Sequence, residues 1–368
     1  MSRLMANCRT MINVVLAACL ICGLVTKAEV FGAEIEVLGK DVPWRVFLVC
    51  AAPVEGTAAE PKPTRSKIAG PSPLPPADWM NPGFDDDPWG RYERDLFELT
   101  GHYGHWQSTS AALLCLRTRF GVSDPRAVKD LQLSLEYRGG VVVYVNGEEV
   151  SRGHMPAGEI QPLTLAEDYP REAFFTSDGA ALPRMERPAT EFADRYERRI
   201  RRIAVPLSRE VLRKGPNVLA IELHRTAMLR RDWSTVGLCS ARLSSKTGVG
   251  VIPYTETAKE IQIWNASPMA TISAATDGTV PYRSTWNVGP LAVSPAGLSR
   301  GNPFDPLRPI RMVAPRRGVC SGQVVISSTN NLHQVAAEMG PLRDSGGAAI
   351  PPNAIRVRFA VQPDGARY

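Results

Sequence analysis

GGVVVYVNGEEVSRGHMP, residues 139–156, runs from an apolar stretch through an Asn-Gly step into two acids and a polar tail. Asn146 and Gly147 suit the two positive-φ positions of a type I′ turn, which joins antiparallel strands through a two-residue loop. Side chains alternate across a strand, so Val141, Val143 and Val145 share one face while Val142 and Tyr144 take the other. A tight hairpin is therefore expected here.

Comparable segments lie on both sides of it. VPWRVFLVCA (43–52), LLCLRTRFGV (113–122), DLQLSLEY (130–137), RRIAVPLS (201–208), NVLAIELHR (217–225) and VGLCSARLS (236–244) are strand-sized runs broken by Gly, Pro, Asp and Asn. With no long helical period among them, they predict an all-β sandwich. AAEPKPTRSKIAGPSPLPP (58–76) reads as an exposed irregular loop. The residues between Gly153 and Arg202 read as a long insertion with one or two short helical turns. In SREVLRKGPN (208–217), Ser208 is placed to cap a short helix that Gly215-Pro216 ends. Residues 247–308 loosen into Ser, Thr, Gly and Pro and read as a linker with an island at EIQIWNAS (260–267). A β-rich module follows at 309–361, too small for a full core of its own and so a partial second β-sandwich.

At the N-terminus, Arg3 and Arg9 precede an apolar stretch from Met11 to Val25 and then small residues ending at Ala28. That is the layout of a secretory signal over 1–28, and its apolar part is short for a span that needs about 20 residues. The expected destination is export to the periplasm, the cell surface or the medium. Leu16-Ala17-Ala18-Cys19 also has the form of a lipid-attachment site, although Leu20, Ile21 and Leu24 continue the apolar run past it. No other stretch has the character of a membrane span. Beyond the signal, Cys50, Cys115, Cys239 and Cys320 remain. Small buried thiols suit most of them, with Cys50 and Cys239 the one pair that a sandwich topology invites.

The chain has 368 residues, 44% of them hydrophobic, and a net charge of +6. Such a charge points toward an anionic partner, but the 35 Arg and 8 Lys are mostly scattered. RYERRIRR (195–202) is the one dense cluster, read as the solvated face of a strand ahead of a patch for acidic polysaccharide. No nucleic-acid recognition motif accompanies it, so no nucleic-acid partner is expected.

Trp79, Phe84-Asp85-Asp86-Asp87, Trp89, RTRF (117–120), LSLEYRGGVVVYVNGEEVSRGHMPAGEI (133–160) and LRKGPNVLAIELHR (212–225) together resemble the galactose-binding-like jelly-roll domain of large secreted bacterial proteins. The resemblance covers 36–246 and implies a jelly-roll β-sandwich. VAPRRGVCSGQVVISS (313–328) with AAEMGPLRDSGGAAIPPNAIRVRF (336–359) resembles the N-terminal sandwich module of glycoside hydrolases like the β-N-acetylgalactosaminidases. It departs in having Arg316-Arg317-Gly318 where such modules often show Arg-Asn-Gly. The resemblance implies that any catalytic barrel would lie past Tyr368.

The residues themselves offer little for catalysis. Glycoside hydrolysis needs two carboxyl groups opposed across the scissile bond. The adjacent acids Glu167-Asp168 and Asp85 to Asp87 do not provide that by sequence. No GxSxG, HExxH, P-loop or complete GxGxxG occurs. No cofactor is expected, and no metal site. The one ion that the resemblance allows is a structural calcium at Asp85 to Asp87, set against their capping a turn between the tryptophans. His102 and His105 lack a convincing third ligand for zinc. His224 ends a core-like strand and reads as structural.

Binding is better served. Sugar recognition uses an aromatic platform bordered by groups that hydrogen-bond hydroxyls. GHYGHWQS (101–108) brings Tyr103, Trp106, His102, His105 and Gln107 together, and Arg152 and His154 stand where they can border the same rim. The alternative is that the aromatics pack beneath the Pro-rich loop and that Arg152 and His154 brace the insertion. The expected function is that of an exported, non-catalytic glycan-binding module. The alternatives are an accessory N-terminal part of a larger glycoside hydrolase and a structural cell-surface protein.

Overall fold

A computed structural model describes residues 34–39, 42–64, 70–92, 110–183, 190–227, 236–254, 261–266, 301–308, 310, 318–328, 333–343 and 346–359. Its strands are β1 (Ile35–Leu38), β2 (Trp44–Cys50), β3 (Val54–Gly56), β4 (Pro61–Pro63), β5 (Gly90–Tyr92), β6 (Ala111–Val122), β7 (Leu131–Arg138), β8 (Gly140–Val145) and β9 (Glu148–Gly153). They continue with β10 (Arg201–Pro206), β11 (Gly215–His224), β12 (Gly237–Ser245), β13 (Val251–Ile252), β14 (Ile261–Ala266), β15 (Gln323–Ser328), β16 (Leu342–Arg343) and β17 (Ala349–Ile350). One sheet has the order β1-β12-β7-β10 and the other β5-β2-β6-β11-β8-β9, with β13 paired to the far end of β6. Every pairing is antiparallel.

The two sheets share one core. Leu133, Leu135 and Tyr137 of the first sheet pack with Leu114, Leu116, Phe120, Val141, Val143, Val145, Leu219, Ile221 and Leu223 of the second. The fold is the all-β sandwich that the sequence predicts. The quoted stretch forms its hairpin as expected: Val145 pairs with Glu148 across Asn146 (φ 55°) and Gly147 (φ 92°), the two positive-φ positions of the type I′ turn. The Asn146 side chain then fastens the turn to its neighbour, accepting from Val218 N (3.0 Å) and donating to Val211 O and Asn217 Oδ1 (2.8 Å each).

Three local expectations change. After Ser208, whose hydroxyl accepts from Glu210 N, the chain makes only one 3-10 turn, Arg209–Val211. Gly215 (φ 93°) therefore opens β11 instead of closing a helix. β14, from the stretch read as linker, pairs along its whole length with β15. Cys50 stands on β2 in the second sheet as a buried free thiol, so it forms no disulfide with Cys239 on β12 of the first.

All twelve residues of β6 are buried. Its inward side chains meet the core, and its outward ones, Leu113, Cys115, Arg117 and Arg119, lie under a cover supplied by residues 76–89. Trp79 and Trp89 stack in this cover with ring centroids 5.6 Å apart, and Phe47 and Phe84 each lean on Trp89. Between the tryptophans, the three aspartates each face a different arginine. Asp86 binds Arg117 (2.9 Å) and Arg119 (3.1 Å), Asp87 binds Arg45 (3.1 Å) and Asp85 binds Arg308 (3.1 Å). Asp305 completes the lattice on Arg119 at 2.7 Å.

Four carboxylates thus balance four guanidiniums in a largely enclosed layer. The turn expected of Asp85 to Asp87 is present, with Asp85 Oδ1 accepting from Asp87 N at 3.3 Å and Asp86 O accepting from Trp89 N at 3.0 Å, but Asp86 at its centre is 1% exposed and not solvated. Nor do the three aspartates suit a calcium ion, because each carboxylate is turned onto a guanidinium and the arginines around them would repel a dication. Residues 301–308 belong to the same layer: Asn302 donates to Arg119 O at 2.9 Å, and Arg308 donates to Phe84 O at 2.7 Å.

Burial alone would raise the Asp86 carboxyl, but Arg119, Arg117 and Arg45 outweigh it and hold the group below its ordinary value. Burial raises Asp87, with Asp85 and Asp86 adding to the effect against Arg45. On acidification Asp87 protonates first and takes a small cost off the fold. Asp86 behaves oppositely: its stabilisation is complete above the unfolded value of about 3.9 and is lost as pH falls through the lower folded value. Replacing Asp86 with Asn leaves two buried guanidiniums short of a counter-charge, and should cost about 3–5 kcal/mol in urea unfolding at neutral pH. The wild type should lose stability steeply below about pH 4, and the variant should lack that part of the acid limb. A cost within the range of an exposed ion pair, below about 1 kcal/mol, would contradict the reading.

Candidate functional site

Register places the ends of five strands of the second sheet in one row. Val49 of β2 opposes Leu113 of β6, Leu113 opposes His224 of β11, and His224 opposes Gly140 of β8. Val141 then opposes Gly153 of β9, which sets His154 beside this row. The start of β6 and the end of β9 therefore share one rim, three strand spacings or about 14 Å apart. Tyr103, Trp106, His102, His105 and Gln107 lie outside the described residues; β6, which follows them in sequence, begins at this rim.

Arg152 is a brace. Its Nε and Nη2 grip Glu149 (2.6 and 2.7 Å), and its Nη1 donates to Gly158 O (2.8 Å) inside the insertion. All three nitrogens are engaged, so Arg152 borders the rim without reaching over it. His154 marks the turn from strand to insertion. It holds φ at 55°, a left-handed backbone that costs a non-glycine residue about 1–2 kcal/mol. Its Nδ1 lies 2.8 Å from the Tyr137 hydroxyl, and its carbonyl accepts from Glu167 N at 2.9 Å.

Behind the rim, His224 is fully buried and donates from Nδ1 to Thr164 O (2.9 Å). Its Nε2 lies 3.2 Å from Glu222 Oε1, outside hydrogen-bond geometry, and Glu222 Oε2 accepts from the Tyr144 hydroxyl at 3.0 Å. His224 is the structural residue that the sequence suggests. Burial, with the Glu222 carboxylate adding to it, pushes the Tyr144 phenol well above its ordinary value.

The insertion is held by arginines from RYERRIRR, which is neither a purely solvated face nor a polyanion patch. Arg199 donates to Ala173 O (2.7 Å) and lies over the rings of Phe174 and Tyr196. Arg201 donates to Gly139 O, Glu167 O and Asp168 O at 2.8–3.0 Å, with its guanidinium 4.0 Å from the Tyr169 ring centre. Only Arg198 and Arg202 use exposed carboxylates, those of Glu172, Asp194, Glu136 and Glu197. Arg198 and Arg199 lie in the turn that follows a short helix, Ala193–Glu197, whereas Arg201 and Arg202 open β10, where side-chain alternation buries Arg201 and exposes Arg202. The Asp168 carboxylate accepts from Ala58 N at 3.0 Å, tying the β3–β4 turn to the insertion.

No protein-family model and no curated protein sequence matches this chain. Among solved structures, a β-glucuronidase of Bacteroides uniformis is similar over 62% of this chain and 20% of its own, at 12% identity and a TM-score of 0.30. A β-glycosidase of Bacteroides vulgatus is similar over 64% and 22% respectively, at 13% identity and a TM-score of 0.29. A β-glucuronidase from glycoside hydrolase family 2 is similar over 67% and 19%, at 11% identity and a TM-score of 0.32. The chain spans about a fifth of the length of these enzymes.

Burial, with Arg201 beside it, holds the His154 imidazole below its ordinary value, and Glu167 opposes the shift. The lowered value means that the contact is fully formed above the unfolded histidine value of about 6.5, and is lost as pH falls through the folded one. Protonation then sets a second cation by Arg201 and makes both ring nitrogens donors, so that the Tyr137 hydroxyl can only accept from Nδ1. Exchange of the Glu167 amide, corrected for its intrinsic rate, should accelerate as pH falls from about 7 to about 5. A His154→Asn variant, which tolerates the left-handed backbone but does not titrate, should abolish that dependence. Equal protection across the range in wild type would contradict it.

Proposed function

We propose that the chain is an exported, non-catalytic module that binds glycan at the loop rim at this end of the second sheet. The observation that supports the reading is the shared row: β6, which follows the aromatic segment 101–108 in sequence, begins at the end of the sheet where β9 delivers Arg152 and His154. Loops positioned by a rigid scaffold are where binding groups concentrate. Tyr103 and Trp106 supply the apolar platform, and His102, His105 and Gln107 supply hydroxyl-binding groups. Arg152 and His154 fix the border. Export rests on Met11 to Val25 behind Arg3 and Arg9.

A second reading, an accessory part of a larger glycoside hydrolase, draws on a different observation. In the β14–β15 pair, Trp264 and Val325 are buried while Ile261, Ile263, Val324 and Ile326 are each more than 40% exposed. A contiguous apolar face of that kind marks a surface normally covered by something else. A reading frame that continues past Tyr368 into a catalytic domain would favour it.

A glycan array probed with exported protein, whose N-terminus should begin after Ala28, tests the leading reading. Binding should fall at least tenfold in Trp106→Ala, about 1.4 kcal/mol, with an unchanged melting temperature. Absence of binding to neutral, amino, sulfated and uronic sugars alike would sink it.

A further inference from the structure

We draw no further inference here: the strongest candidate, the apolar outer face that Ile261, Ile263, Val324 and Ile326 form on the β14–β15 pair, carries nothing because nothing in the structure shows what covers it.

Discussion

The structure depends on one electrostatic demand: β6 is buried on both faces, and its outer face carries Arg117 and Arg119. An ionised group taken out of water without a partner costs several kcal/mol. The segment that covers those arginines must therefore bring charge as well as apolar surface. Phe84-Asp85-Asp86-Asp87 does both, with Trp79 and Trp89 supplying the apolar part. Because Asp305 and Arg308 enter the same lattice, the chain beyond the sandwich is pinned to that face as well.

Arginine does two jobs here, which gives a physical sense to 35 Arg beside 8 Lys. On the outer face it balances aspartates. At the far end of the sandwich, Arg199 and Arg201 bind backbone carbonyls of the insertion and lie on aromatic rings. A planar fork with several donors satisfies many carbonyls of irregular chain, where a lysine would offer a point charge. The long insertion is consequently fixed against the strand ends that form the rim.

What was legible in the sequence is what local rules govern. Asn146-Gly147 dictates its own turn, and two-residue alternation in the flanking runs places each valine on its observed face. The aspartate run was not legible, because the arginines that neutralise it come from β2, β6 and the 301–308 segment, far apart along the chain. By itself it resembles a cation loop or a polar turn. RYERRIRR misled for a related reason: charge density suggests solvent, and only the insertion folded beneath it explains Arg199 and Arg201 pointing inward. Of the candidate site, the sequence placed Arg152 and His154 at the rim, but their hydrogen-bonded roles required the Gly158 carbonyl, the Glu167 amide and the Tyr137 hydroxyl. β14 escaped because its partner, β15, follows only after a long intervening stretch.

The central claim is that the charged layer over β6 holds the cover and the 301–308 segment as one unit. A double-mutant cycle between Arg119 and Asp305, each replaced by an apolar residue of similar size, measures that coupling most directly. The account predicts a coupling energy above the roughly 0.2–1 kcal/mol of exposed ion pairs, and one that persists at high salt. Additive effects of the two substitutions, or a coupling that vanishes with added salt, would contradict it.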